Sequence, residues 1–495
     1  GKDSHYYDDF ANRTILRRVA QKCYLPMNKL MLELIGQYKG KFKIAFSISG
    51  SALEQFQRFA PEVIDSFRAL AATGKVEFLS ETYYHSLASL TSESEFRHQV
   101  QKHAALIEEL FGVKPVTFRN TELIYSNGIG EMVYGLGFKT MLTEGARHIM
   151  GWQSPNFVYG CDTQPQLKLL LRNYGLSDDI AFRFSNQGWN MWPLTADKYV
   201  NWMKESAAEG DIVNLFMDYE TFGEHQSAES GIFEFMRELP GAVLKDGTFG
   251  FATPAEAVKK YKPVSDISVE DPISWADEER DVTAWLGNEL QDEAFKKVYA
   301  MTEKLSIVND PDLWADFGHL QESDHFYYMC TKFFSDGEVH KYFNPYDTPY
   351  EAFINYMNVL SDFMIRADFT GHLDWEYLLR NIPRYPEHGL TKLNFYDFQP
   401  DDNRQPRFFP FRDFIPRYQT ASAVLVQGVA KGEPASNTVS WTFNGSPLTT
   451  VPVPLIITSS GKLPGLLLRN DEGYSTLTHW GLELKDRLFP LKRGN

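Results

Sequence analysis

Residues 43–143 alternate short apolar runs with amphipathic helical spans, and this alternation limits the fold more than any other feature of the chain. Residues 43–49 (KIAFSIS) read as a strand, and 52–72 as an amphipathic helix closed by Gly74. Residues 76–79 form the next strand and 93–110 the next helix, closed by Gly112. Strands follow at 116–118 and 140–143, with a short helix at 130–136 between them. The same reading predicts strands at 167–172, 180–184 and 212–217, and helices at 195–208, 232–239 and 254–261. Strands that alternate with helices require a parallel sheet with right-handed crossovers. About seven strands in roughly 220 residues favour a barrel over an open sheet.

The flanking regions follow other patterns. Residues 14–38 have helical spacing interrupted by Pro26. Helical periodicity returns at 277–365, as in 282–304 and 350–365, and predicts a helical subdomain. From about residue 369 this period disappears: 380–420 are rich in Pro, Arg and Phe, and 421–495 read as short strands with turns. The expected class is therefore α/β: a catalytic barrel over 1–265, a helical subdomain over 266–368, and a β-rich region of unassigned role over 369–495.

Bulk composition narrows the function. A formal charge of −16 argues against nucleic acid as partner, because nucleic-acid binders carry a basic face. No stretch approaches the ~18 apolar residues of a membrane span, and no signal peptide is present. The three cysteines, Cys23, Cys161 and Cys330, are too scattered for a disulfide framework or a Cys-x-x-Cys metal site, which suggests a reducing, cytoplasmic setting. Aromatics reach 15% of the chain, enough to supply flat faces for sugars as well as an ordinary core.

The chemistry concentrates in DIVNLFMDYETFGEHQ, residues 211–226, where an apolar run ends in Asp218, Tyr219, Glu220 and Glu224. Barrel enzymes carry their reactive groups at the carboxyl ends of strands. Glycoside cleavage needs two carboxyl groups about one bond. Asp218 is one candidate. Glu122, in TFRNTELIYSNG, is the second, with Arg119 three residues earlier either keeping a nucleophile ionised or pairing with a structural carboxylate. Glu77 and Glu81 precede His85 in KVEFLSETYYHSL, and Glu77 is an acid within a strand that needs a partner or a role. His85 is a site residue or a hydrogen-bonded loop histidine. Asp324 and His325 (LQESDHFYY) reach the site or serve as a helix cap and a surface histidine. Trp189 and Trp192 (NQGWNMWP) stack on a sugar or on the core.

FMDYETFGEH, GKVEFLSETYYH, FRNTELIYSNG and LQESDHFYY, in this order, resemble motifs of glycoside hydrolase family 57, in its α-amylase-like branch, over roughly residues 1–366. The resemblance implies an incomplete (β/α)7 barrel followed by a helical region, and a retaining mechanism on α-1,4-glucans. Glu122 matches the family nucleophile and Asp218 the general acid/base. Glu77, His85, Trp189, Tyr219, Asp324 and His325 are then substrate-binding candidates, and no metal or organic cofactor is needed. Retention requires carboxyl groups ~5–5.5 Å apart, against ~6.5–9.5 Å for inversion. The family's first motif, His-Gln-Pro on the first strand, does not occur here, so that strand is expected to be missing. SWTFNGSPLTTVPVPL with ELKDRLFPL faintly resembles the acyltransferase-like N-terminal nucleophile hydrolases, although that region has no cysteine.

Three further readings compete with glucan hydrolysis. A 4-α-glucanotransferase uses the same two carboxylates. A metal-dependent carbohydrate deacetylase on a similar barrel would recruit Asp218, His225 and His85 as ligands. A non-catalytic glucan-binding protein would show affinity without turnover.

Overall fold

The computed structural model describes residues 6–305, 310–332, 343–370, 422–427, 439–444, 452–456, 467–469 and 475–488, together with positions 434 and 450. The chain divides into two compact units, Gly1–Met364 and Ile365–Asn495.

The first unit is an α/β structure. Strands β1 (Ile44–Phe46) and β2 (Val76–Phe78) pair in parallel. A bridge from Ser80 to Phe118 continues the parallel order into β3 (Thr117–Arg119). Strand β3 pairs with β4 (Thr140–Glu144), which is buried at every position, as a strand covered on both faces must be. An unforeseen strand, β5 (Val158–Cys161), forms a hairpin with β6 (Gln164–Arg172), and β6 pairs in parallel with β4. Asp266–Ile267 adds a short parallel pairing to β5.

Local chemistry fixes the helix ends. Pro61 divides the span expected as one helix into Gly50–Phe59 and Pro61–Ala72. Glu93–Phe111 starts at Ser92, whose hydroxyl accepts from Glu95 N–H, and stops at Gly112 with φ 68°, a conformation that favours glycine. The strand expected at 180–184 is absent. Asn173 instead caps a helix, Tyr174–Ala181, by accepting from Leu176 N–H.

The expected strand at 212–217 forms no ladder. The segment alternates, with Ile212 and Phe216 facing one apolar cluster and Val213, Leu215 and Met217 another. Individual bonds hold it in place of a ladder: Asn173 N–H to Asn214 O (2.9 Å), Asn214 Nδ2 to Leu171 O (2.9 Å) and Arg172 Nε to Phe216 O (2.7 Å). The apolar run thus set the alternation but not the pairing.

The amino-terminal helical span runs from Asp9–Val19 through a π turn, Ala20–Tyr24, into Leu25–Gln37. The wider turn comes just before Pro26, which cannot donate to the helix ladder. It seats the loop after Asp218. Cys23 Sγ donates to Tyr219 O, Tyr24 OH donates to Glu220, and a Cβ on Gly223 would lie 2.0 Å from Lys22 O. Gly223 has φ 112°, so both its backbone and its close approach require glycine.

The first unit continues through helices Glu289–Tyr299, Pro311–Leu320 and Ser323–Tyr327. Residues 333–342 lie outside the described residues. In the second unit, Ser422–Gln427, Val439–Asn444 and Pro452–Ile456 form an antiparallel sheet, and Thr476–Leu488 is a helix. The Pro-, Arg- and Phe-rich span 380–420 lies outside the described residues, as do residues 445–449, 451 and 489–491 of the faintly matched tail segments. Among the described residues no helix is long and apolar enough to cross a membrane.

Candidate active site

The carboxyl ends of β2 and β3 carry the central cluster. Thr82 and Thr121 share a hydroxyl–hydroxyl bond (2.8 Å), and Thr121 Oγ1 donates to Ser86 O (2.8 Å). These bonds stitch the loop bearing His85 to the loop bearing Glu122. His85, Glu122 and Leu123 all have positive φ (48°, 55° and 55°), which side-chain-bearing residues seldom adopt. Each costs on the order of 1–3 kcal/mol and persists where the surroundings enforce it, often at functional sites. Here Asn120 enforces it, its Nδ2 donating to Ile124 O and Ser89 Oγ (each 2.9 Å).

Glu122 is gripped at both oxygens. His85 Nε2 lies 2.7 Å from Oε1, and Trp275 Nε1–H donates to Oε2 at 2.6 Å. His85 Nδ1 contacts Glu81 Oε2 at 2.9 Å, so the imidazole lies between two carboxylates. Burial opposes a charge on His85, but its bonds to Glu122 and Glu81 prevail and raise its pKa to about 10. Burial also opposes a charge on Glu122, and this is outweighed by His85, Arg119 and Trp275, which hold the carboxyl below its usual range. Glu81, buried and bonded to Ser47 Oγ (2.8 Å), is held at about 2, mainly by His85 against the effect of burial.

Asp218 behaves oppositely. Its pKa is raised to about 7, by burial first and then by Glu220 and Glu122, with Arg119 and His85 pulling it back. Asp218 keeps solvent-exposed surface although protein mass surrounds it, as does Asp324. Asp324 arrives from the helical region on Ser323–Tyr327, whose Ser323 N–H donates to His85 O (3.0 Å). Its pKa is raised to about 6, by burial and by Glu122 and Glu322 against His85.

The structure therefore gathers Glu122, Asp218, His85 and Asp324, and places four other sequence-selected residues elsewhere. Glu77 accepts from Thr117 Oγ1 (2.5 Å) and from Ala255 N–H (2.9 Å), so this strand acid has a structural partner set. Tyr219 turns away from the side of Asp218: its hydroxyl donates to Asn28 Oδ1 (2.7 Å) and its ring packs on Phe46 (5.0 Å). Trp189 packs edge-on against Trp202 (5.7 Å). His325 Nε2–H donates to His319 O (3.0 Å), with its ring 5.2 Å from that of Tyr356.

Sequence reading missed the role of Glu81 and missed Trp275 altogether. Glu81 stands four residues before His85, a visible spacing. Trp275 carries no local signal. It is delivered by residues 269–275, which pair with the loop after Glu122 through Tyr125 and Ile273 and through Trp275 N–H to Glu122 O (3.2 Å). As for a metal-dependent deacetylase, both ring nitrogens of His85 already face carboxylates, which leaves neither free for a metal.

A carboxylate held ionised beside a carboxyl that keeps its proton near neutrality is the pair that glycosidic chemistry requires. Comparison with known proteins agrees. Residues 2–270 match the model of glycosyl hydrolase family 57. A Methanocaldococcus jannaschii protein provisionally named an alpha-amylase is 45% identical over 369 residues, covering 72% of this chain and 78% of the relative. The chain belongs to glycosyl hydrolase family 57. Among solved structures, a family 57 branching enzyme from Thermococcus kodakaraensis aligns with TM-score 0.55 at 13% identity, over 76% of this chain and 90% of that one. The 4-alpha-glucanotransferase of Thermococcus litoralis aligns with TM-score 0.51 at 14% identity, over 63% of this chain and 53% of that one. These two show the shared α/β fold, and the chain spans about half the length of the glucanotransferase.

Proposed function

We propose that the chain is a glycosidase acting on α-1,4-glucans by double displacement, with Glu122 as nucleophile and Asp218 as general acid/base. One observation carries the reading: two electrostatically coupled carboxyls are driven to opposite ionisation, Glu122 below its usual range and Asp218 up to about 7. In the first step Glu122 bonds to the anomeric carbon while the glycosidic bond breaks, and the Asp218 proton goes to the departing oxygen. In the second, Asp218 takes a proton from water, the water oxygen bonds to the anomeric carbon, and the Glu122 ester bond breaks. Asp324, exposed and coupled to Glu122 from the helical side, is suited to accept hydroxyl hydrogen bonds from the substrate. The alpha-amylase name of the 45% identical relative supports an α-glucan substrate. His85 and Asp324 are read as substrate-facing or charge-setting groups, and the incomplete (β/α)7 barrel as the frame of the site.

Product analysis on maltoheptaose tests the reading. Shorter sugars, released first as the α anomer by the parent and not by Glu122→Gln, are the expected result. Longer products as well would make the enzyme a 4-α-glucanotransferase, with a second sugar in place of water. Glucan binding without turnover would make it a binding protein.

A further inference from the structure

We propose that Trp275 is a positioning residue of this site, whose indole N–H fixes the orientation of the Glu122 carboxylate and carries part of its negative charge. The inference rests on Glu122 as the nucleophile and goes beyond it by assigning a role to a residue outside every recognised motif.

The contact is short for an N–H···O bond, 2.6 Å against a usual ~2.9 Å, as bonds to ionised acceptors are. The backbone reinforces it through Trp275 N–H to Glu122 O. The indole is itself held in a cationic frame. The guanidinium carbons of Arg119 and Arg172 lie 4.9 and 5.5 Å from its ring centroid, and Arg280 donates to its carbonyl. That frame is tied down by two acids. Arg172 contacts Glu144 (3.0 Å) and Asp178 (2.5 Å), and Arg280 contacts the same pair at 3.5 and 3.4 Å. Cations at the ring polarise the indole and strengthen its N–H as a donor. The frame does no chemistry of its own. Its effect is to leave Trp275 with one position, aimed at Oε2 of Glu122.

Two consequences follow. Before attack, losing the donor should make Glu122 easier to protonate. After attack, Glu122 must leave as a carboxylate, and the same N–H stabilises the returning charge, so the second step should slow as well. The charged and titratable groups facing Glu122 are His85, Arg119, Asp218, Asp324 and Tyr327, with Glu81 behind His85.

Trp275→Phe keeps a ring within the frame and removes only the donor. The expected result is a kcat lower by on the order of tenfold to a hundredfold, the size for a hydrogen bond to a charged group. KM should change less, and the acid limb of the kcat/KM profile should move to higher pH. A fall in kcat with an unmoved acid limb would leave Trp275 a packing residue and overturn the proposal. A second readout needs neither turnover nor a folded Trp275→Phe variant: indole N–H resonances of the labelled full chain, compared between the parent and folded Glu122→Gln. One strongly downfield indole proton that moves upfield in Glu122→Gln supports the contact, and no responsive indole proton overturns it. This readout also separates the inference from the proposed activity, because an inactive parent that still shows the responsive indole would contradict the glycosidase reading alone.

Discussion

Two histidines of this protein are each held between two carboxylates, and the two arrangements differ in what lies beyond them. His85 bridges Glu81 and Glu122 at 2.9 and 2.7 Å. His319 bridges Glu54 and Glu322 at 3.2 and 2.7 Å. Both imidazoles have pKa values raised to about 10, with paired carboxylates overcoming the opposing effect of burial. Around His319 the hydroxyls of Tyr83 and Ser51 also bond the two acids, at 2.6 and 2.7 Å, and the group joins helix Pro311–Leu320 to helix Gly50–Phe59. Around His85 one acid, Glu122, sits on a left-handed turn beside Asp218 and Asp324, whose protons are held loosely near neutrality. The same three groups thus make a clamp in one place and, in the proposed function, hold the charged nucleophile in the other. What separates them is Asp218, whose carboxyl is raised to about 7 in part by Glu122, whereas Asp324 is coupled to both Glu122 and Glu322.

The largest expected effect tests that difference directly. Glu122→Gln should lower kcat by on the order of 10⁴-fold or more, and Asp218→Asn by about 10²–10⁴-fold, whereas Glu322→Gln should act mainly on stability. Rates on maltoheptaose under saturation check all three. A Glu322→Gln variant as inactive as Glu122→Gln would erase the distinction.

The pH profile of kcat/KM sharpens the comparison next. In the proposed reaction Glu122 must be ionised and lies below the usual carboxylate range, while Asp218 must be protonated and lies at about 7. Activity should therefore persist well into acid and fall as pH rises through about 7. A basic limb unchanged in Asp218→Glu, or an acid limb above the usual carboxylate range, contradicts the assignment.

The two histidines should then separate by kind of loss. His85→Gln should cost on the order of 10²-fold in kcat and shift the acid limb upward, since Glu122 loses its charged partner. His319→Gln should change kcat by less than about threefold and cost about 1–3 kcal/mol of stability, because the pair it serves is only partly buried. Thermal unfolding beside kinetics reads both.

The smallest effect is the pH dependence of stability. A histidine raised from 6.5 to about 10 in the folded state contributes stability that is complete below pH 6.5 and is lost as pH rises through about 10. Stability should therefore decline between those values, and His319→Gln should flatten the decline in urea titrations. An unchanged slope in the variant would show that His319 carries no charge.

Much of this site was legible, and the misses have local causes. Apolar runs and caps marked β1 to β4 and β6, and acids just past an apolar run marked Glu122 and Asp218. Tyr219 was misread although Val213, Leu215 and Met217 alternate onto one core cluster, which Tyr219 joins at the start of the following 3-10 turn. Asp324 and His325 separate for a similar reason, since neighbours on a helical turn point in different directions. Asn173 hid a helix because its cap outweighs the apolar run at 180–184. Trp275 was out of reach, since it meets Glu122 across 153 residues through an irregular segment without periodicity.

Trapping with a fluorinated maltosyl fluoride, followed by peptide mass mapping, tests the central claim most directly. It asks which carboxylate of the two histidine-centred groups forms the covalent bond. The account predicts one maltosyl ester, on the peptide carrying Glu122, absent in Glu122→Gln. An ester on Glu81, Glu54 or Glu322, or turnover of maltoheptaose by Glu122→Gln at the parent rate, would contradict it.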